Sequence, residues 1–271
     1  MKYLWIGVSL FLAGAHPALA TTSTWEDIRD EVFAEQFLLN GKDVIALDVP
    51  YRTPEDARAQ IAAQVVAPAG VQVAKVTVVL DENPMPVSAV FTLKTPMPSF
   101  FFDVTMRVNG PTPLHVVAET TDGRAFVVEA FVKTSGQGAC SAPPGTDPEL
   151  AMLSLGEMEI ELMGTLPALG GPLAANQPSA RMNRLDVDID HPSHSGMQMD
   201  QISLLFVPMR YVESVDIDLD GQGYVGMTGS ISLSENPRVG LSVPSQSQSV
   251  DVTMTDTDGT VTKAHKDLAG F

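Results

Sequence analysis

The chain has a single cysteine, Cys140, in 271 residues. One thiol excludes an internal disulfide framework and a Cys-x-x-Cys-His haem attachment. Basic residues are scarce as well. Sixteen Lys and Arg stand against 33 Asp and Glu, a formal net charge of −17. That balance argues against nucleic acid and anionic lipid as partners and favours basic ones, although it serves solubility equally well. Aromatic residues make up 6%, with tryptophan only at positions 5 and 25, while 21 Gly and 20 Pro point to a turn-rich β protein. After the N-terminus no stretch is long or apolar enough to span a membrane. There is no nucleotide loop, no Ser-His-Asp arrangement in a recognisable context and no carboxylate pair placed as acid and base. The composition therefore leads away from an enzyme, and no resident metal or cofactor is expected.

What is present begins with a secretory signal. Lys2 supplies a positive start, Tyr3 to Ala13 an apolar run, and Ala18-Leu19-Ala20 a small-x-small site that predicts cleavage after Ala20. Residues 1–20 are read as this signal, and the mature protein is expected in a bacterial periplasm.

Thr24 to Leu39 reads as a short N-terminal helix. Thr24 caps it, Glu26 and Asp27 lie in the first turn, and Ile28, Val32, Phe33, Phe37 and Leu38 recur at helical spacing. From Lys42 the pattern turns to short strands bounded by Pro, Gly and Asp turns. These are Val44–Val49, Ala59–Val66, Val71–Leu80, Val87–Leu93, Phe100–Val108, Leu114–Thr120 and Arg124–Lys133. Seven such strands describe an immunoglobulin-like β-sandwich over residues 21–133. Residues 134–149 then form a cysteine-bearing arm. Glu149 to Met163 reads equally as a short helix or as a connector with a strand, Gly164 to Ser179 is rich in Gly, Pro and Ala, and residues 150–180 are assigned as a linker. A second sandwich is predicted over 181–271. It opens with Leu185, Val187 and Ile189 alternating with Asp186, Asp188 and Asp190, which buries the aliphatics and exposes the carboxylates. Later strands are expected at Ile202–Val207, Val212–Leu219, Tyr224–Leu233, Arg238–Val243, Val250–Thr255 and Thr260–His265. The fold class is thus mainly β, two immunoglobulin-like sandwiches with a short N-terminal helix. Each block has a strand running into Glu-Asn-Pro, at Glu82-Asn83-Pro84 and at Glu235-Asn236-Pro237.

Cys140 sits in Thr134-Ser135-Gly136-Gln137-Gly138-Ala139-Cys140-Ser141-Ala142-Pro143-Pro144-Gly145. Every neighbour is small, flexible or proline. This predicts a solvent-facing thiol on a mobile arm, with Gly136, Gly138, Ala139 and Ser141 giving the sulfur freedom and close access. A thiol so placed reads first as a handle for covalent attachment, then as a site of intermolecular disulfide formation or a residue without a role; a packed structural cysteine is the least expected reading, since no apolar residue but alanine lies within three positions. His191 and His194, with Met197 and Met199 beyond them, contain donor types suited to a metal. They also fit a loop that follows a strand with a solvated acidic face, and that plainer reading is preferred. His115 and His265 read as isolated surface residues.

The order of helix, sandwich, Asp81-Glu82-Asn83-Pro84 turn and Gly136-x-Gly138-x-Cys140 arm resembles the Y subunit of the thiosulfate-oxidation (Sox) sulfur carrier. Asp190-His191-Pro192-Ser193-His194-Ser195-Gly196-Met197, with Ser234-Glu235-Asn236-Pro237 and the Asp258-Gly259 turn, resembles its Z subunit. Together they are similar to the fused SoxYZ-like carriers associated with quinoprotein dehydrogenases. The resemblance implies two immunoglobulin-like domains and a cysteine that carries a sulfur intermediate between periplasmic redox enzymes. The partners it implies are such enzymes or c-type cytochromes, with a quinoprotein dehydrogenase among them. Cys140 is the residue it marks. In that family the cysteine closes a free Gly-Gly-Cys-Gly-Gly tail, whereas here it lies mid-chain, so the segment enters a partner as a doubled loop. From Thr134 the extended reach is on the order of 20 Å. A non-covalent docking subunit of a quinoprotein dehydrogenase system is the alternative reading.

Overall fold

The computed structural model describes residues 24–34, 36–136, 138–146, 148–166 and 182–268. The signal, part of the linker and Gln137 lie outside these residues. Helix α1 spans Thr24–Val32 and helix α2 Pro148–Leu153. The strands of the N-terminal half are β1 (Leu38–Asn40), β2 (Ile45–Asp48), β3 (Ala59–Val66), β4 (Val73–Leu80), β5 (Val87–Met97), β6 (Ser99–Met106), β7 (Thr112–Thr120) and β8 (Ala125–Val132). Those after the cysteine segment are β9 (Met158–Thr165), β10 (Met182–Ile189), β11 (Val212–Leu219), β12 (Gln222–Gly229), β13 (Arg238–Pro244), β14 (Ser249–Asp256) and β15 (Val261–Asp267).

Alternating apolar positions turn these strands into two facing layers. On β10, Leu185, Val187 and Ile189 are fully buried, and on β14 Val250, Val252 and Met254 are too. One layer has the strand order β1-β8-β7-β4-β5-β12-β11-β14-β15 and the other β2-β3-β6-β13-β10-β9. Both sheets run without a break from the N-terminal half into the C-terminal half. In the larger sheet β5 pairs antiparallel with β12, Phe91 opposite Met227. In the smaller, β6 pairs with β13, Val104 opposite Val239 and Phe102 opposite Leu241. The two immunoglobulin-like units thus share one core, with the Phe91, Phe100 and Phe102 rings clustered near its middle.

A polar bridge crosses the second seam. Arg184 on β10 pairs with Asp103 on β6 at 2.7 Å and with Asp186 at 2.6 Å, and Gln60 Nε2 donates to Asp103. Burial raises the Asp103 carboxyl, with Arg184 opposing. Position 240 must be glycine for this bridge to close, because a Cβ there would lie 2.6 Å from Asp186 Oδ1. Asp186 is therefore buried, not exposed as its alternation with aliphatics predicts.

Two further expectations are corrected. Helix α1 ends at Val32, and Leu38 pairs with Ala125 as a strand. Only the first part of the apolar stripe is used as a helix, Ile28 with Phe33 just beyond its end. These residues pack on Val79, Val117 and Ala125, on the face of the larger sheet away from the core. The Ile202–Val207 run forms the far side of a tight hairpin instead of a sheet strand. Met199 bridges Phe206, and Leu204 adopts φ +58°. Ile202, Leu204, Leu205 and Phe206 all face solvent.

Candidate functional site

The cysteine segment leaves β8 through Lys133, which bridges Arg52, and is at once tied down. The Ser135 amide donates to Asp56 Oδ2 at 2.8 Å, and the Ser135 hydroxyl bonds to the same oxygen. Gly136 and Gly138 then adopt φ of +83° and +76°, left-handed angles that glycine accepts at little cost. Gly138 O accepts both the Ser141 amide and the Ser141 hydroxyl at 3.0 Å. The resulting tight turn points Cys140 inwards.

Cys140 is 0% exposed. The expectation of a solvent-facing thiol is therefore corrected. The reason is polar: small residues cannot anchor a segment by apolar burial, but their bare backbone offers donors and acceptors, and two neighbouring loops use them. The Cys140 amide donates to Asn109 Oδ1 at 3.2 Å, and the Cys140 carbonyl accepts the Ser195 hydroxyl. The Ala142 carbonyl accepts from Gln198 Nε2 at 3.0 Å, and the Gly145 amide donates to Glu235 Oε2 at 2.8 Å. Asn109 belongs to the N-terminal half; Ser195, Gln198 and Glu235 belong to the C-terminal half. The thiol lies where the halves meet, outside the main apolar cluster. Of the arm residues, Gly136 and Ser141 are exposed, Gly138 is half-buried and Ala139 is buried.

Each clasping loop is braced by one of the two Glu-Asn-Pro turns. Asn83 Oδ1 accepts the Asn109 amide at 2.9 Å, while its Nδ2 donates to Arg107 O and Ser232 Oγ. Asn236 Oδ1 accepts the His191 amide at 3.0 Å. The repeated tripeptide was the available sequence signal for these residues. Their role was invisible because each acts through a loop distant in sequence.

Arg107 is the charged group behind the thiol. It is 2% exposed, and its Nη1 donates to Ser193 O at 2.7 Å and to Leu233 O at 2.5 Å. Burial pushes the Cys140 thiol up, and the Arg107 guanidinium pulls it back. Burial likewise depresses Arg107, against the fields of Cys140 and Glu235.

His191 is buried beneath the same loop. Its Nδ1 accepts the Ser193 amide at 2.9 Å, so the proton sits on Nε2, which faces Asp256 at 3.4 Å. Burial drives its pKa down to about 4, with Asp256 opposing. His194 is lowered by burial and by Arg107. His115 is also buried, not a surface residue. It pairs with Asp81 at 2.9 Å and stacks under Trp25 at 3.7 Å between ring centroids. His265 does lie at the surface, between Asp251 and Asp267.

Two family models match the chain. "Sulfur oxidation protein SoxY" matches residues 29–140, ending on the cysteine itself, and "Sulphur oxidation protein SoxZ" matches 174–267. Among solved structures, the sulfur carrier protein SoxY from Chlorobium limicola f thiosulfatophilum is 16% identical over 42% of this chain and 97% of that one, with a TM-score of 0.34. No curated protein matches the chain. With a SoxY domain before the linker and a SoxZ domain after it, the chain belongs to the Sox sulfur-oxidation family as a fused SoxYZ-like carrier.

Proposed function

We propose that Cys140 is the covalent attachment point for a sulfur-containing intermediate, which this protein presents to partner enzymes in the periplasm without catalysing a reaction itself. The observation that carries the reading is the placement of the sole thiol. It sits on a glycine-containing turn, at the end of the SoxY match, with its backbone held between two domains by hydrogen bonds.

A carrier thiol must be kept from stray chemistry and yet be released on demand. Four hydrogen bonds, each worth about 1 kcal/mol net because water replaces it on opening, make a clasp of that kind. A core-packed cysteine would instead need apolar surface to be torn open. Sulfur–sulfur bonds suit the cargo because thiol exchange both makes and breaks them. Burial disfavours the thiolate of the docked arm, and release into water restores the ordinary acidity of the thiol. Other sulfur-oxidation proteins are the partners of Sox carriers; periplasmic redox enzymes, c-type cytochromes or a quinoprotein dehydrogenase are the proposed ones here.

Intact-mass measurement on protein isolated from its native host tests the reading. A mass increment confined to Cys140 is expected during growth on reduced sulfur compounds, together with loss of their oxidation in a Cys140→Ser strain. An unmodified thiol under all growth conditions, with full activity in that strain, would reject it.

A further inference from the structure

The loop that clasps the Cys140 turn continues into an apolar tip. Gln198, whose side chain donates to Ala142 O, accepts the Val207 amide on its own carbonyl at 2.8 Å and so forms the base of a hairpin. Within it the Asp200 amide donates to Leu205 O, and the Leu204 amide to Asp200 O, both at 2.9 Å. Ile202 is 95% exposed, Leu204 and Leu205 are 68% exposed, and Phe206 is 67% exposed. Helix α2, a few residues after the cysteine turn, adds the exposed Met152 and Leu153 at the foot of the same loop, where Arg210 Nη1 reaches Met152 Sδ at 3.7 Å. Single apolar side chains are common on a protein surface. Four within five consecutive positions, with two more at their foot, mark an interaction site.

The backbone carries a second sign. Leu204 adopts φ +58°, a left-handed angle unfavourable for a bulky residue, and its side chain is turned to water. Angles of this kind cluster at ligand clamps and switch regions, where function offsets their cost.

The charges around the tip select what covers it. Residues 195–209 and helix α2 contain no lysine or arginine. Arg210, at the end of the loop, is neutralised by Asp256 at 2.8 Å and Asp258 at 3.4 Å. The Asp200 carboxyl is held below the usual carboxylate range by the Ser203 amide and hydroxyl and by the Ile202 amide, so it is charged at neutral pH. Elements that lie on bilayers carry Lys and Arg beside their apolar face, and this one does not. A second copy would set Asp200 and a net charge of −17 against their equals. The cover that fits is a different protein, with an apolar socket bordered by lysines and arginines.

We propose that the 199–206 hairpin, with Met152 and Leu153 of α2, is the docking surface on which such a basic-rimmed partner protein grips this chain. This surface deepens the carrier reading and rests on it for what the partner does. Ser195 and Gln198, which hold the carbonyls of Cys140 and Ala142, belong to the same loop, so a partner that grips the tip grips the element that clasps the thiol turn.

The test uses the full mature chain with the photo-crosslinking residue p-benzoylphenylalanine at position 205. It is irradiated in soluble extract of a native-host strain that does not make this protein. Products joining the chain to a different protein are expected. Their yield should fall about ten-fold in Leu204→Ser/Phe206→Ser, because a few apolar anchors dominate such contacts. Both side chains are exposed, so that variant should melt as the wild type does. Should it melt lower, Ile202→Ser takes its place. Raising NaCl from about 50 to about 500 mM should also lower the yield, since salt screens a charged rim and does not weaken apolar contact. Cys140→Ser should leave the yield unchanged, because the grip does not use the thiol. A captured protein supports the surface only when its yield shows both the patch and the salt dependence. No product, a product of this chain with itself or with lipid, or a yield indifferent to either the substitutions or the salt would overturn the proposal. An unmodified Cys140 in the native host would defeat the carrier reading and leave these yields standing. Yields that ignore the patch would defeat the docking surface and leave a Cys140 adduct standing.

Discussion

At the scale of single residues, the site is built from weak polar contacts on one thiol. Burial raises the Cys140 thiol. The stability linked to that shift is fully present below the ordinary thiol value of about 8.5 and is lost as pH rises through the folded value. Wild-type melting temperature should accordingly fall more steeply above that pH than that of Cys140→Ser, which has no thiol to ionise. Arg107, Glu235 and His194 are the ionisable groups that share this neighbourhood. The clasp makes a second prediction. Maleimide labelling of Cys140 should be slow in the native protein, and Ser195→Ala or Gln198→Ala should each speed it about five-fold, the equivalent of one hydrogen bond of about 1 kcal/mol. A rate unchanged in both variants would mean that the turn opens by another route.

His191 supplies an acid-side counterpart. Its folded pKa of about 4 lies below the ordinary value of 6.5, so the unfolded chain binds the extra proton first. Stability is complete above pH 6.5 and is lost as pH falls towards 4, by up to about 3 kcal/mol. Asp256, itself held low by the Thr260 amide and Arg210, adds a loss of the same sign at lower pH. Denaturant titrations of wild type and His191→Gln between pH 7 and 4 should show the slope shrinking in the variant.

At the scale of elements, the two Glu-Asn-Pro turns act as paired braces. Asn83→Ala leaves the half-buried Asn109 amide and the buried Arg107 carbonyl without their partner, at about 1–3 kcal/mol. Because Asn109 in turn holds the Cys140 amide, the same variant should raise the labelling rate of a thiol that Asn83 does not itself hydrogen-bond. Chemical denaturation and labelling on one sample would check both. This relay explains what was legible in the sequence and what was not. Strands such as β11 and β14 were readable because they bury every second residue, and that period is local. Helix α1 was overextended because Phe37 and Leu38 continue its spacing, whereas the pull of β8 on Leu38 comes from 87 residues away. Ile202–Val207 has strand composition, but Asp200 Oδ1 accepts the amides of Ile202 and Ser203 and curls the run into a hairpin. The cysteine was found from composition alone. Its burial was missed because the loops that clasp it are separated from it by about thirty residues on one side and more than fifty on the other.

At the scale of the whole molecule, the fused chain behaves as one folding unit because both sheets cross the boundary between SoxY and SoxZ domains. Each seam joins strands more than a hundred residues apart, β5 to β12 and β6 to β13. The core is common to both halves, so neither half can open its seam without exposing apolar surface of the other. Unfolding should then be a single transition. Arg184→Ala, which strands the buried Asp103 carboxylate at the seam, should shift that transition by about 3 kcal/mol without splitting it in two. A sharper test separates covalent linkage from packing. With a protease site inserted between positions 170 and 175, the cleaved chain should still elute as one species in gel filtration at micromolar concentration, and it should come apart only when denatured. Separation of the fragments under native conditions would mean that the linker, not the seams, keeps the halves together. The Cys140 clasp would then fail as well, because Asn109 lies on one fragment and Ser195 and Gln198 on the other. Thiol labelling of the cleaved protein therefore reads the same seam from the active end: a rate equal to that of the intact chain requires both halves to be still in register around the cysteine.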